Sequence, residues 1–293
     1  MARYSLAGMT TGLFPDSATA PERRLADWLD TRARVAAITG AGVSTASGIP
    51  DYRDGEGQWK RRQPVTYQAF VGDDAVRHRY WARSFAGWTH FSGARPNAAH
   101  AALAGLERRG ALHALVTQNV DGLHQRAGSR RVVDLHGRLD RVVCLACGHR
   151  FERGWLQQRL TALNPGWADH AERIAPDGDA DIEDVDFSRF DIPACPRCGG
   201  MLKPDVVFYG ESVPAATRVA ATEAVEAADG VLVVGSSLMV WSSFRLVRAA
   251  AARGASIAAV NHGRTRADDL LALKCEGDCG AILQSILTPR LHA

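Results

Sequence analysis

Residues 34–53 read RVAAITGAGVSTASGIPDYR, and this stretch decides the fold. Its apolar run at 35–38 is the kind that forms a strand buried on both faces. Thr39 ends the run, and Gly40, Gly42 and Gly48 follow in quick succession. A strand feeding a glycine-rich turn that opens a helix is a design for binding a diphosphate. Glycines let the backbone approach the anion, and a helix N-terminus offers unpaired N–H groups and a positive dipole end. The loop departs from the G-x-G-x-x-G fingerprint, because Thr45 stands at the third glycine position. No clear acid follows about 20 residues on to hold a ribose. An ordinary hydride-transferring dehydrogenase is therefore disfavoured.

Outward from this loop, strands and amphipathic helices alternate. Residues 21–31 form a helix with Leu25, Trp28 and Leu29 at helical spacing. Helices are predicted over 73–91 and 96–109, the latter stopped by Gly110. Strands follow at 113–118 and 131–135, then a helix at 151–160 and an acidic stretch at 169–191. A fourth strand is expected at 205–209, a helix at 214–228, a strand at 230–235, a helix at 242–253 and a strand at 256–261. A loop and closing helix occupy 277–287. The pattern predicts an α/β, Rossmann-like parallel sheet with helices on both faces.

With 293 residues the chain can bury a sizeable core, and a charged content of 23% is that of a globular protein. A net charge of +3 is too small to argue for nucleic acid. No apolar run approaches the roughly 18 residues that span a bilayer. Residues 1–20 lack an apolar signal core and read as a flexible lead-in, so a cytoplasmic protein is expected. In a reducing compartment cysteine pairs point to metal rather than disulfides.

Cys144-x-x-Cys147 and Cys195-x-x-Cys198 are the most specific signal in the sequence. Each can form a knuckle, with Gly148 and Gly199 permitting the tight turn behind it. Four thiolates make the closed tetrahedral set of one structural zinc. Redox chemistry is the weaker reading, since neither pair sits in a thioredoxin-like βαβ context. The long gap between the pairs predicts a small inserted zinc-binding domain over 140–201. The cofactor-binding domain would then comprise 21–139 and 202–293, with 55–95 as a helical cover.

Four predicted strand ends carry polar or glycine clusters: Thr39 to Gly42, Gln118-Asn119-Val120-Asp121, Gly235-Ser236-Ser237 and Asn261-His262-Gly263. In open parallel sheets ligands sit outside these ends.

At these residues the chain resembles the sirtuins. GAGVSTASGIPDYR, TQNVDGLH, LHG at 135–137, the paired CxxC, KPDVVFYGE at 203–211, GSSLMV at 235–240 and VNHG at 260–263 follow that family's motif order. The resemblance spans about residues 21–288, and GIPDYR, QNVDGLH and YWAR look most like its class II branch. It implies an NAD-dependent protein-lysine deacylase, an enzyme of transferase type, acting on acyl-lysine proteins. Nicotinamide and O-acyl-ADP-ribose would be released.

What the resemblance implies for residues is specific. Gly40, Ala41, Gly42, Ser44 and Thr45 would hold the diphosphate. Ile49, Asp51, Tyr52, Arg53, Gln118, Asn119 and Asp121 would surround the nicotinamide end. Gly235, Ser236, Ser237, Asn261, His262, Gly263 and Cys279 would complete the cofactor site, with Cys275 a filler. His136 would be the general base on the ribose hydroxyl, as suits an imidazole titrating near neutrality, with Asn119 beside it. His124, in the helix after Asp121, is the rival histidine. Val207, Phe208, Gly210, Glu211, Leu238 and Val240 would flank an added substrate strand.

Tyr80 and Arg83 share the Tyr-x-x-Arg spacing of desuccinylating sirtuins, which implies that acyl groups other than acetyl are accepted. An arginine fork pairs well with a carboxylate. Two rival functions stay open: protein mono-ADP-ribosyl transfer, and a zinc-bearing NAD sensor with little turnover. A monomer is expected, with no nucleic-acid or membrane partner.

Overall fold

The computed structural model describes residues 20–60, 64–167, 182 and 185–287. The expected lead-in lies outside these except for Ala20, as does most of the acidic stretch. In chain order the strands are β1 (Val35–Thr39), β2 (Ala114–Thr117), β3 (Val132–Asp134), β4 (Gly137–Cys144), β5 (Arg150–Glu152), β6 (Leu202–Val206), β7 (Gly230–Val234), β8 (Ser256–Val260) and β9 (Leu273–Cys275). The helices are α1 (Pro21–Asp30), α2 (Tyr67–Gly72), α3 (Asp74–Gly93), α4 (Ala98–Arg108), α5 (Leu123–Arg126), α6 (Arg153–Leu163), α7 (Ala215–Glu226), α8 (Trp241–Ala252) and α9 (Cys279–Ser285).

Six strands form a parallel sheet in the order β3-β2-β1-β7-β8-β9. Every residue of β1 and β7 is buried, because helices cover both faces. On one face Val35, Ala37 and Leu232 pack with Leu25 and Trp28 of α1, Leu103 of α4 and Leu283 of α9. On the other, Ile38, Val231 and Val233 meet Ala221 and Val225 of α7 and Leu246 and Val247 of α8. Each fully buried leucine or valine contributes roughly 1.5–3 kcal/mol. The predicted Rossmann-like sheet is thus the observed one.

Several features differ from the sequence reading, among them edge strand β9 of the parallel sheet, which the reading did not contain. The strand expected at 205–209 is instead β6, Leu202–Val206, and it belongs to a separate antiparallel sheet of order β5-β4-β6. Pairing of β6 with β4 (Cys144 opposite Leu202) fixes that register. Strand β4 went unpredicted because a register shift between Gly137 and Val142 spoils the period-two pattern its buried residues would show. The helix expected from Phe151 starts at Arg153, with Phe151 in β5.

The small sheet docks through α3 and α6. Trp81, Phe85, Leu156, Leu160 and Phe190 share one core with Leu202. Arg153 is 1% exposed and crosses the junction. It donates to Gln157 Oε1 at 2.7 Å and to the Ser84 carbonyl at 3.3 Å, with its guanidinium 4.7 Å from the Trp88 ring.

Candidate functional site

The chain leaves β1 for β2 and β3 on one side, then returns to β7, β8 and β9 on the other. This switch point puts a crevice between the C-terminal ends of β1 and β7. The loop after β1 fills its floor. It does not open the expected α-helix but makes two single 3₁₀ turns, Ala41–Val43 and Thr45–Ser47. Hydroxyl bonding is one reason: Thr45 Oγ1 donates to the Gly42 carbonyl at 3.1 Å. Gly48 at φ +83° and Pro50 then end any helical continuation. Gly40 N donates to the Val234 carbonyl at 3.2 Å and Gly42 N to the Gly235 carbonyl at 2.9 Å, so the loop lies backbone to backbone on the end of β7.

Beside this loop is a cavity of about 500 Å³. Ala41, Ser44, Ile49 and Tyr52 line it from the glycine loop, and Gln118, Asn119 and Asp121 from the end of β2. The polar groups at this end are tied together. Ser44 Oγ donates to Asp121 Oδ2 at 2.7 Å and accepts from Asn119 Nδ2 at 3.0 Å. Asp121 Oδ1 accepts from Leu123 N at 2.8 Å. His100 closes the network from below, 3.5 Å from Ser44 Oγ. Its Nδ1 accepts from Asn97 N, so the ring is neutral, and burial pushes its pKa down to about 4 against the opposing pull of Asp121.

His136 stands where β3 ends, and it lines the cavity. Its Nδ1 is 3.1 Å from the Gln118 carbonyl, which can only accept, so Nδ1 carries the proton. Nε2 therefore presents its lone pair, and Ser242 Oγ donates to it at 2.8 Å. Burial lowers the imidazole pKa to about 4, partly offset by the Gln118 carbonyl. At neutral pH the ring is an uncharged base with Nε2 facing the cavity, which is the form that can take a proton. His124 is different. It is 1% exposed, bonds Thr39 Oγ1 at 2.9 Å through Nε2, and does not line the cavity. It braces strand ends beneath the loop.

Two segments form the opposite walls. Val206, Val207, Phe208, Gly210 and Glu211 supply one, and Val240, Trp241 and Ser242 the other. The first is held by Val207 N donating to the His136 carbonyl at 2.8 Å. Buried Lys203 adds a 3.1 Å bond to Glu211 Oε2, which also accepts from Phe208 N at 2.9 Å. Leu238, expected on the substrate wall, is 1% exposed and packs inward with Val231 and Leu246. At φ +55° it is the positive-φ residue other than glycine among the described residues, a strained corner just before cavity-lining Val240.

Other predicted site residues lie off this cavity. Asp51 pairs with Lys60, and the Arg53 guanidinium stacks 4.0 Å from the Trp59 ring. Gly235 and Ser236 lie against the glycine loop, with Ser236 Oγ accepting from Gln118 Nε2 at 2.7 Å, whereas the Ser237 carbonyl accepts from Arg266 N at 2.8 Å. Gly263 packs on the Gly55 turn, and Asn261 Nδ2 bonds the His262 carbonyl at 2.7 Å. Cys279 is the buried first residue of α9, its thiol pushed up to about 11 by burial. Tyr80 lines the cavity, packed on Phe70 and Phe208, but half-buried Arg83 does not.

Sequence reasoning missed Ser242, Arg218 and Arg245, all of which line the cavity. Ser242 had a usable signal, since the first turn of a helix after a strand-end loop faces the crevice. Arg218 and Arg245 are helix-face residues with no local signal.

In the small sheet, Cys144, Cys147, Cys195 and Cys198 bring four sulfurs within 4.8 Å of one another. A zinc with bonds of about 2.3 Å puts tetrahedral sulfurs ~3.8 Å apart, which these positions fit. Gly148 and Gly199 take the left-handed turns behind the knuckles, at φ +68° and +72°. The backbone N–H of Cys147 helps lower the Cys144 thiol to about 6, toward the thiolate a metal needs.

The Sir2 family profile matches residues 40–242. An NAD-dependent protein deacetylase of Bordetella bronchiseptica is 57% identical over 273 residues, covering 93% of this chain and 100% of that protein. One from Xanthomonas campestris pv. campestris is 58% identical over 265 residues, covering 90% of each. A solved Sir2–p53 peptide–NAD+ complex superposes with a TM-score of 0.73 at 28% identity, covering 90% of this chain and 96% of that one. Another Sir2 enzyme structure gives a TM-score of 0.72 at 32% identity, covering 91% and 96%. On the matched motifs and the shared fold, this chain belongs to the Sir2 family.

Proposed function

We propose that this protein is an NAD-dependent protein deacetylase. The observation that carries the reading is neutral His136, with its Nε2 lone pair turned into a cavity bounded by the glycine loop and two substrate-facing walls. The cavity fits the cofactor's reactive end: Asn119 and Asp121 are polar and prearranged, and Ile49 adds an apolar edge. Bound NAD would supply an electrophilic ribose carbon with nicotinamide as leaving group. Ile49, Asn119 and Asp121 would hold the nicotinamide end, and Gly40 to Thr45 the phosphates. His136 Nε2 would accept the ribose hydroxyl proton. The walls at 206–211 and 240–242 would take the peptide as an added strand, bound mainly through its backbone. Zinc on the four cysteines would hold the small sheet together and take no part in the reaction, since no open ligand position remains.

Acetyl is the acyl group we assign, in line with the deacetylases to which the chain is similar. A dicarboxylic acyl is the second reading, favoured by Tyr80 on the wall and weakened by Arg83 standing off it. We read the chain as closest to the class II branch and as a cytoplasmic monomer. The described helices include none long and apolar enough to cross a membrane.

Nicotinamide release, measured with acetyl-, succinyl- and glutaryl-lysine peptides and without peptide, separates the rivals. Release that requires acetyl-lysine supports the deacetylase. Release with ADP-ribose left on protein means transferase, and no release means a sensor. In His136→Tyr, release should fall about 10²–10⁴-fold, the usual worth of a general base.

A further inference from the structure

Arg218 of α7 and Arg245 of α8 line the same cavity as His136, and the proposed chemistry of the site leaves both without a task. Neither is in an ion pair among the described residues. Arg245 Nε donates to the Ser242 carbonyl at 3.4 Å. The carboxylates that line this cavity are already engaged. Asp121 accepts from Ser44 and Leu123, and Glu211 from Lys203 and Phe208. Two arginines therefore line the cavity with their charge uncompensated by its own anions.

The rim extends the same sign. Trp241 is 48% exposed, and the guanidiniums of Arg248 and Arg266 lie 4.7 and 5.3 Å from its ring. The nearby acid Asp268 is engaged by Thr265 and Lys274. An arginine-rich mouth around an exposed aromatic ring complements an anionic partner. Exposed Arg218 places this charge on the solvent side.

We infer that Arg218 and Arg245 form a carboxylate-binding subsite that reads an acidic side chain within two residues of the acetyl-lysine. The inference rests on the deacetylase reading. A planar guanidinium takes a carboxylate through two parallel hydrogen bonds, which gives selectivity as well as attraction. A peptide bound as a strand keeps its backbone between the walls and sends neighbouring side chains past the mouth.

The test compares kcat/KM for acetyl-lysine peptides flanked by Glu or by Gln. The Glu:Gln ratio should be about 1.5- to fivefold at low salt, the range for exposed charge pairs. It should fall toward one near 0.5 M salt and in the Arg218→Gln/Arg245→Gln variant. Arg245→Glu should instead favour Lys-flanked peptides, which also shows that the altered site is folded. A wild-type ratio at or below one overturns the inference, as does a ratio kept by the double variant. A succinyl-lysine, Gln-flanked peptide that gains the same arginine-dependent advantage, while Glu flanks gain none, would move the carboxylate onto the acyl chain and also overturn it. Fluorescence anisotropy of the labelled acetyl peptides reads the same ratio without turnover. A failed deacetylase reading, with no release from any acetyl peptide, is thus distinguished from a failed subsite.

Discussion

At the crevice, the glycine loop meets β7 through backbone bonds, Gly42 N to the Gly235 carbonyl, and nearby histidines are held neutral by burial. In the small sheet, the knuckles converge as four sulfurs within 4.8 Å, which would repel as thiolates without a cation between them. The first region is shaped by atoms the chain supplies itself. The second needs an ion to hold its shape. The difference teaches where each will fail: the crevice to steric change, the module to loss of metal.

The largest expected effect is on the module. Cys147 is exposed, so Cys147→Ser removes a ligand without opening a cavity. Structural zinc binding is folding energy, of order 10 kcal/mol apparent. Zinc content should drop and Tm fall by more than about 10 °C, with activity lost in step with folding. Metal analysis beside a melting curve checks this. A zinc-free variant with unchanged Tm would show that the small sheet stands alone and would break the comparison.

A smaller effect sharpens it. Gly235 sits at φ +56°, and a Cβ there would meet Val43 N at 2.4 Å. Gly148 has a similar φ of +68°, yet a Cβ on it meets nothing within 4 Å. Alanine at Gly148 should cost only the left-handed strain, about 1–2 kcal/mol. Alanine at Gly235 adds a collision with fixed backbone, so about 3 kcal/mol or more, with a raised KM for NAD. Denaturant melts of the two variants give the difference directly. Equal costs would mean that the glycine loop can move off β7.

The same contrast explains what could be read before the fold was known. The metal module was legible because four side chains at fixed spacing carry its chemistry. The sheet was legible in runs such as 230–234, which are apolar throughout because both faces are covered. The β4 bulge hid its strand, and the glycine loop makes two 3₁₀ turns where a helix was expected, with Thr45 bonded back to the Gly42 carbonyl. His136 and Asn119 stood out through the motifs LHG and TQNVDGLH that carry the family resemblance and through their places at strand ends, and both line the cavity. Arg83 shows the limit of local spacing. Three residues along a helix leave a rotation of roughly 60° from the starting face, enough to put Tyr80 on the cavity and Arg83 off it. Arg218 and Arg245 depend on how α7 and α8 settle on the sheet, which no local pattern encodes.

The finest effect concerns the bond between Ser242 and His136. Ser242 is a positioning residue: its hydroxyl donates to Nε2 at 2.8 Å, and that bond exists only while Nε2 is unprotonated. It therefore favours neutral imidazole and adds to the burial that lowers the pKa to about 4. The sign follows. Activity needs the neutral base, so kcat/KM should be level near neutrality and fall as pH drops toward that value. Ser242→Ala removes the donor and should raise the acidic limb by about 0.5–1 pH unit, one hydrogen bond's worth. Because kcat/KM reports the free enzyme, its profile should shift more than that of kcat, where a ribose hydroxyl can take the donor's place. Ser242→Thr keeps the hydroxyl and should restore the limb. A merely packing role for Ser242 would lower activity at every pH alike and leave the limb where it was.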